Sequence, residues 1–408
     1  MEPAGWQQRV ALCERVPKVE LHAHLNGSIR HSTIRSTPPR FSPSPRPSRP
    51  PRPSRPPCPT PSPCHSRAQS PCRAPCPPQG MPPPSPELAE KREAEAPLLA
   101  EDARRLTNTA ERSLAECFKL FAVIHSLTTD HATITRITRE VVEDFAGDNV
   151  SYLELRTTPK SNPSAGMTKQ SYVQAVLAGL HAEAAWLHAR TAHQAPPSSA
   201  VPMVVRLVLS IDRRETTQSA MDTVHVAVQL RDQGVVGIDL SGNPSIGQWS
   251  TFLPALHLAR SHGLPITVHF AEVPNEVESE AVLDFAPERL GHACCLPDHL
   301  QQALLRSRIP VELCLTSNVR TESVTAYGNH HFDYLYRASH PVVICTDDSG
   351  VFNTTLSREY ALAAAAFNLS DDHIIELARK SIDFAFLPSQ TKVLLRDSFQ
   401  QKMTLPVT

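Results

Sequence analysis

Two histidines one residue apart in an apolar run, His22 and His24, are the first side chains in this sequence arranged to do chemistry. Side chains alternate along an extended strand, so both imidazoles leave one face and can grip one transition metal. The plain alternative is a pair of histidines that merely alternate. His269 and Asp347, each near the end of a later apolar run, would complete a site of three histidines and one carboxylate with a position left for water. Glu272 follows three residues after His269, where a carboxylate in a dry pocket can act as general acid and base; a solvated loop glutamate is the bland reading. His292 follows Gly291, and its imidazole is free either to hydrogen-bond a metal-bound hydroxide or to be a satisfied core histidine. Asp347 and Asp348 read as two carboxylates on opposite faces of a strand near its exit, one for metal and one for substrate or water. Such close like charges are costly unless a cation is present.

The elements that must position these groups recur along the chain. Short apolar runs rich in branched residues lie at 18–25, 152–158, 203–212, 235–241, 264–272, 289–292, 309–318 and 341–348. Helix patterns stand between them, such as 113–127, with Leu114, Phe118, Phe121 and Ile124 on one face, and 249–262, stopped by Gly263. Apolar strands alternating with helices imply parallel strands covered by helices. Eight such units are the number of a closed (β/α)8 barrel of the TIM type, with a doubly wound open sheet as the alternative. Seven of the eight runs end in polar or charged residues, and the short sixth carries His292. In a barrel these endings converge on one mouth, where the chemistry of that fold resides.

Composition excludes several classes of function. Forty basic and 41 acidic residues give a net charge of −1, so there is no global electrostatic case for a nucleic-acid or membrane-surface partner. No run of about 18 apolar residues exists, so no membrane span is expected. The first 30 residues lack an apolar signal core, and four of the ten cysteines sit in a proline tract. Reduced thiols in the cytosol are the expectation. Of the 39 prolines, 21 lie between Pro38 and Pro86, a density that favours extended, solvated chain. We expect one barrel spanning 1–408, interrupted at 36–97, after its first strand, by a disordered Pro/Arg/Ser-rich insertion.

Together the motifs resemble a known family. Val19-Glu20-Leu21-His22-Ala23-His24-Leu25, Val268-His269-Phe270-Ala271-Glu272, Leu290-Gly291-His292 and Cys345-Thr346-Asp347-Asp348 look like the adenosine and AMP deaminase family of metal-dependent hydrolases. Asn26-Gly27-Ser28, Tyr152-Leu153-Glu154-Leu155-Arg156, Leu240-Ser241-Gly242, Leu313-Cys314-Leu315-Thr316-Ser317-Asn318 and His330-His331-Phe332 look like its adenosine deaminase-like branch. The resemblance implies one Zn2+ per chain on His22, His24, His269 and Asp347, with Glu272 as proton donor to the purine ring. It implies that His292 orients the attacking hydroxide, that Asp348 holds the ring or the water, and that Gly242 offers its backbone to the purine.

It also implies the reaction, hydrolytic deamination of N6-methyl-AMP and related N6-substituted nucleotides to IMP and an amine, in nucleotide metabolism; a monomer in the cytosol is our expectation for the chain. Asn26 stands where adenosine deaminases carry an aspartate, and an amide can donate to a phosphate that a carboxylate would repel. His125, Thr157, Thr158, Pro159, Lys160 and Asp212 match nucleotide-contacting positions of the branch. Lys160 replaces an expected arginine, keeping the charge but losing the bidentate fork. Two rivals remain open: an adenosine deaminase, and a catalytically impaired scaffold recruited by proline-binding modules through P-x-x-P sequence around Arg46-Pro47-Ser48-Arg49-Pro50. The tract itself reads as a splice or gene-prediction artefact or a neutral insertion in preference to a ligand.

Overall fold

The computed structural model describes residues 5–36, 114–194 and 203–404. Eight strands follow one another in chain order around a single sheet: β1 (Lys18–His24), β2 (Val150–Thr157), β3 (Val204–Asp212), β4 (Val235–Ser241), β5 (Ile266–Phe270), β6 (Arg289–His292), β7 (Val311–Leu313) and β8 (Val342–Ile344). Every neighbouring pair is parallel. The last strand returns to the first through a bridge between Ala23 and Asp347, where His24 N–H donates to the Asp347 carbonyl at 2.9 Å and Asp347 N–H to the His22 carbonyl at 2.8 Å. This is the (β/α)8 barrel, and the bridge rules out an open doubly wound sheet, whose outer strands would stay unpaired.

The strands form where the apolar runs predicted them because each is buried on both faces, by side chains inside the barrel and helices outside. Helix His131–Gly147 shows how the outer layer is built. Asp130 caps it by accepting from Thr133 N–H at 2.9 Å, and Ile134, Ile137, Val141, Val142 and Phe145 form the buried stripe. Helix Trp249–Ser261 ends as expected before Gly263, which takes φ +66°.

Two runs change direction earlier than the pattern predicted. Only Val311–Leu313 of the seventh run is strand; the chain turns at Cys314 into the short helix Leu315–Arg320. The eighth stops at Ile344, Asp347 adopts φ +64°, and Asp348 heads the helix Ser349–Phe352. Asp347 and Asp348 therefore occupy a turn and not the opposite faces of a strand. Continuous apolar sequence does not distinguish a buried strand from a buried helical turn.

Ser36, assigned to the proline tract, instead ends the helix His31–Ser36. The rest of the tract and its P-x-x-P sequence lie outside the described residues. No helix among the described residues is long and apolar enough to cross a membrane. Cys13, Cys294, Cys295, Cys314 and Cys345 are free thiols.

Candidate active site

His22, His24 and His269 reach the mouth from the ends of β1 and β5, and Asp347 meets them from the turn after β8. One donor atom from each of the four lies within 4.8 Å of all the others. His24 Nε2 stands 3.1 Å from His269 Nε2 and 3.3 Å from Asp347 Oδ1. The separation of the two nitrogens suits either a hydrogen bond between the rings or a cation shared by both. His22 Nε2 is fully buried and has no hydrogen bond, as a nitrogen kept for a metal would be. Three imidazoles and one carboxylate suit a divalent transition metal such as zinc. Gly291 is required here, since a Cβ on it would come within 2.9 Å of His22 Cε1.

The imidazoles are aimed from behind. His22 Nδ1 donates to Glu312 Oε2 at 2.6 Å and His269 Nδ1 to Asp239 Oδ1 at 3.0 Å, leaving each Nε2 to face the mouth. Arg156 joins these two carboxylates, with Nη2 2.8 Å from Glu312 and Nη1 3.3 Å from Asp239, and it also reaches the Leu21 carbonyl at 2.6 Å. Arg289 binds the other oxygen of Glu312 at 2.6 Å. All four charged side chains are buried. Burial alone would raise both carboxyls. His269 and Arg156 outweigh it at Asp239, Arg156 and Arg289 at Glu312, and both are held well below the usual carboxylate range. Ser317 donates to Asp347 Oδ2 at 2.7 Å.

Glu272 lies just past β5, its Oε1 buried without a partner and its Oε2 3.9 Å from His292 Nε2. Burial raises its carboxyl above the ordinary value, against the pull of His269. His292 ends β6 at φ +66°, and burial holds its imidazole well below the usual range despite Asp347. Asp348 lies over Gly27, where a Cβ would fall 1.5 Å from its Oδ1, which explains a glycine after Asn26. Burial and then the neighbouring Asp347 push the Asp348 carboxyl well up.

The remaining candidates sit at or just past the ends of β1 to β4, which are neighbours in the sheet, except His125, which lies in the last turn of the helix Leu114–Leu127. Asn26 Oδ1 is buried without a hydrogen bond. Thr157 shares its hydroxyl with Tyr172 at 2.7 Å, and Tyr172 also meets Asn26. Thr158, half-buried, and Pro159, buried, lead to Lys160, whose Nζ donates to His125 Nδ1 at 2.7 Å and lies 3.3 Å from Thr128 Oγ1. Burial, then Arg214, lowers Lys160 to about 8; burial, then Lys160, lowers His125 to about 4. Asp212 is gripped by Arg214 through two bonds of 2.8 and 2.6 Å, and Gly242 follows β4 beside it. The four metal candidates, Glu272 and His292 thus converge, while His125, Lys160, Asp212 and Arg214 form a separate charged group at the rim.

Sequence reasoning did not single out Asp239, Glu312 or Arg214, and it quoted Ser317 and Arg156 within motifs without a role, whereas Ser317 binds Asp347 and Arg156 is buried between Asp239 and Glu312. The available signal was charge set within apolar runs, at Arg156 (with Glu154), Asp239, Arg289 and Glu312.

The adenosine deaminase family profile matches residues 82–402. An N6-mAMP deaminase of Arabidopsis thaliana is 45% identical over 394 residues, covering 95% of this chain and 97% of that protein. The N6-methyl-AMP deaminase of Homo sapiens is 34% identical over 391 residues, covering 93% and 92%. The crystal structure of arabidopsis ADAL complexed with IMP aligns with a TM-score of 0.74 at 45% identity, covering 95% of this chain and 97% of that one. Barrel, converging donors and similarity over nearly the whole length agree, and the chain belongs to the adenosine deaminase family.

Proposed function

We propose that this chain hydrolyses N6-methyl-AMP and other N6-substituted purine nucleoside monophosphates to IMP and an amine. The observation that carries the reading is the convergence of His22, His24, His269 and Asp347 beside a buried, unpartnered Glu272 oxygen. One zinc ion on those four residues would supply the Lewis acidity that makes water a nucleophile at neutral pH. His292 orients the attacking water. Glu272, whose carboxyl burial raises above its ordinary value, gives a proton to the purine ring nitrogen as the water oxygen bonds to the carbon bearing the substituted amine. Breaking the bond from that carbon to the exocyclic nitrogen then releases the amine, which takes one of the two protons lost by the attacking water while the other returns to Glu272. Asp348, raised well above the carboxylate range, offers a hydrogen to the ring, and the Gly242 backbone meets the purine.

The phosphate is assigned to the rim, where Asn26, Thr158 and Lys160 supply polar contacts without a carboxylate at position 26. The relatives named for N6-methyl-AMP and the IMP complex support the same substrate class. Free thiols fit a cytosolic enzyme, and we take the tract that follows Ser36, to residue 97, as an insertion in one loop of a single barrel.

Purified zinc-replete protein given N6-methyl-AMP should release IMP and methylamine, and the unphosphorylated nucleoside should react far more slowly. Equal turnover of the two would favour adenosine deamination and remove the phosphate assignment. Glu272→Gln should cut kcat by at least roughly 100-fold while metal content stays unchanged. Loss of metal in that variant would make Glu272 a ligand instead.

A further inference from the structure

Three successive residues of the short helix Leu315–Arg320 each hold a different group. Thr316 binds the buried Glu359, Ser317 binds Asp347, and Asn318 binds His292. The contact from Asn318 belongs to a chain of hydrogen bonds with one consistent arrangement of protons. It begins at the backbone N–H of Phe332, which can only donate, and which gives its proton to His330 Nδ1 at 3.0 Å. Burial lowers His330 to about 2, so its ring is neutral and its one proton is on Nε2. That nitrogen lies 3.1 Å from Asn318 Oδ1, and the amide Nδ2, a donor only, lies 3.0 Å from His292 Nδ1. Turning the amide over would set its N–H groups against the His330 Nε2–H. His292 Nδ1 therefore accepts, and the ring proton of His292 is on Nε2, the nitrogen 3.9 Å from both Glu272 Oε2 and Asp347 Oδ2.

Water does not compete with these links, because His292, Asn318 and His330 are each at most 2% exposed. His331, stacked on His330 with ring centroids 4.2 Å apart, donates to the His292 carbonyl at 2.6 Å and secures the backbone there.

We infer that Asn318, aligned by His330 and the Phe332 N–H, is a positioning residue that fixes His292 as its Nε2–H tautomer, a donor facing the reacting water. The inference rests on His292 orienting that water, as set out under Proposed function. It goes further by assigning a task to the two sequence motifs, 313–318 and 330–332, that the reaction itself does not use.

The test is a long-range 1H–15N correlation spectrum of the His292 ring in the labelled full chain, zinc-loaded and zinc-free, with kinetics on N6-methyl-AMP alongside. In the unaltered protein Nε2 should carry the proton in both forms. Asn318→Asp replaces the donor with an isosteric acceptor, so the proton should move to Nδ1. The same variant should lose on the order of 100-fold in kcat, with KM within about twofold and zinc content unchanged. Asn318→Ala, which removes the amide, should give a mixture of tautomers and a loss of roughly 10-fold. A proton on Nδ1 in the unaltered protein, or Nε2–H retained in both variants, overturns the inference. A tautomer change with kcat unaltered upholds the relay and removes His292 from the reaction.

Discussion

The floor of the site and its rim handle charge in opposite ways. On the floor, Arg156, Asp239 and Glu312 are fully buried on strands, and each is paired within the barrel. At the rim, Lys160 and Arg214 stand past the strand ends and pair locally with His125 and Asp212, and Arg214 is 64% exposed. The exposed Arg214–Asp212 pair contributes at most about 1 kcal/mol, so a phosphate can take over the guanidinium. Buried pairs cannot be exchanged in this way, because removing one member strands the other in a medium that does not solvate it. The floor should therefore govern fold, metal affinity and kcat, and the rim should govern KM.

The strongest attempt to break this division is Arg156→Met, which leaves Asp239 and Glu312 buried without their shared counter-charge. A loss of about 3–5 kcal/mol in denaturant unfolding is expected, together with reduced metal content. A loss below about 1 kcal/mol would mean that the floor is not held by charge pairing. Glu312→Gln is milder, since the amide oxygen still accepts from His22 Nδ1 but the negative charge is gone. Zinc affinity measured against a competing chelator should fall about 10- to 100-fold, with nucleotide KM unchanged in zinc-saturated enzyme. An altered KM there would couple floor to rim.

The smallest effect belongs to Lys160. Burial and Arg214 bring its pKa to about 8, so it is charged below that pH and neutral above. KM for N6-methyl-AMP should rise as pH passes upward through about 8, with kcat unaffected. In Lys160→Met, KM should be raised roughly 10-fold and no longer change over that interval. An unphosphorylated substrate should show no such rise, and if it does, Lys160 does not serve the phosphate.

This division also tracks what was legible in the sequence. The eight strands, His22, His24, His269 and Glu272 announce themselves through local pattern, because alternation along a strand and a polar residue at its end are properties of a few adjacent positions. Asp239 and Glu312 do not, since the groups they serve are distant: Arg156 and Glu312 are separated by 156 residues and His22 and Glu312 by 290. The turns at Cys314 and Asp347 were hidden for another reason, that burial is equally apolar in strand and helix. Arg214 escaped notice because a surface arginine is unremarkable until its carboxylate partner is seen beneath it.

The seam where β8 meets β1 carries a consequence for folding. His22 and His24 stand on one side of it and Asp347 on the other, and Glu20 crosses it as well, accepting from Thr346 N–H at 3.0 Å across 326 residues of chain. A metal held by these donors is thus a clasp between the first strand and the last. Contacts of such long range have the greatest loop-closure cost, so the clasp acts on the step hardest to complete. Metal binding and ring closure draw on one free energy, and the ion that activates water would also resist opening of the barrel at that seam.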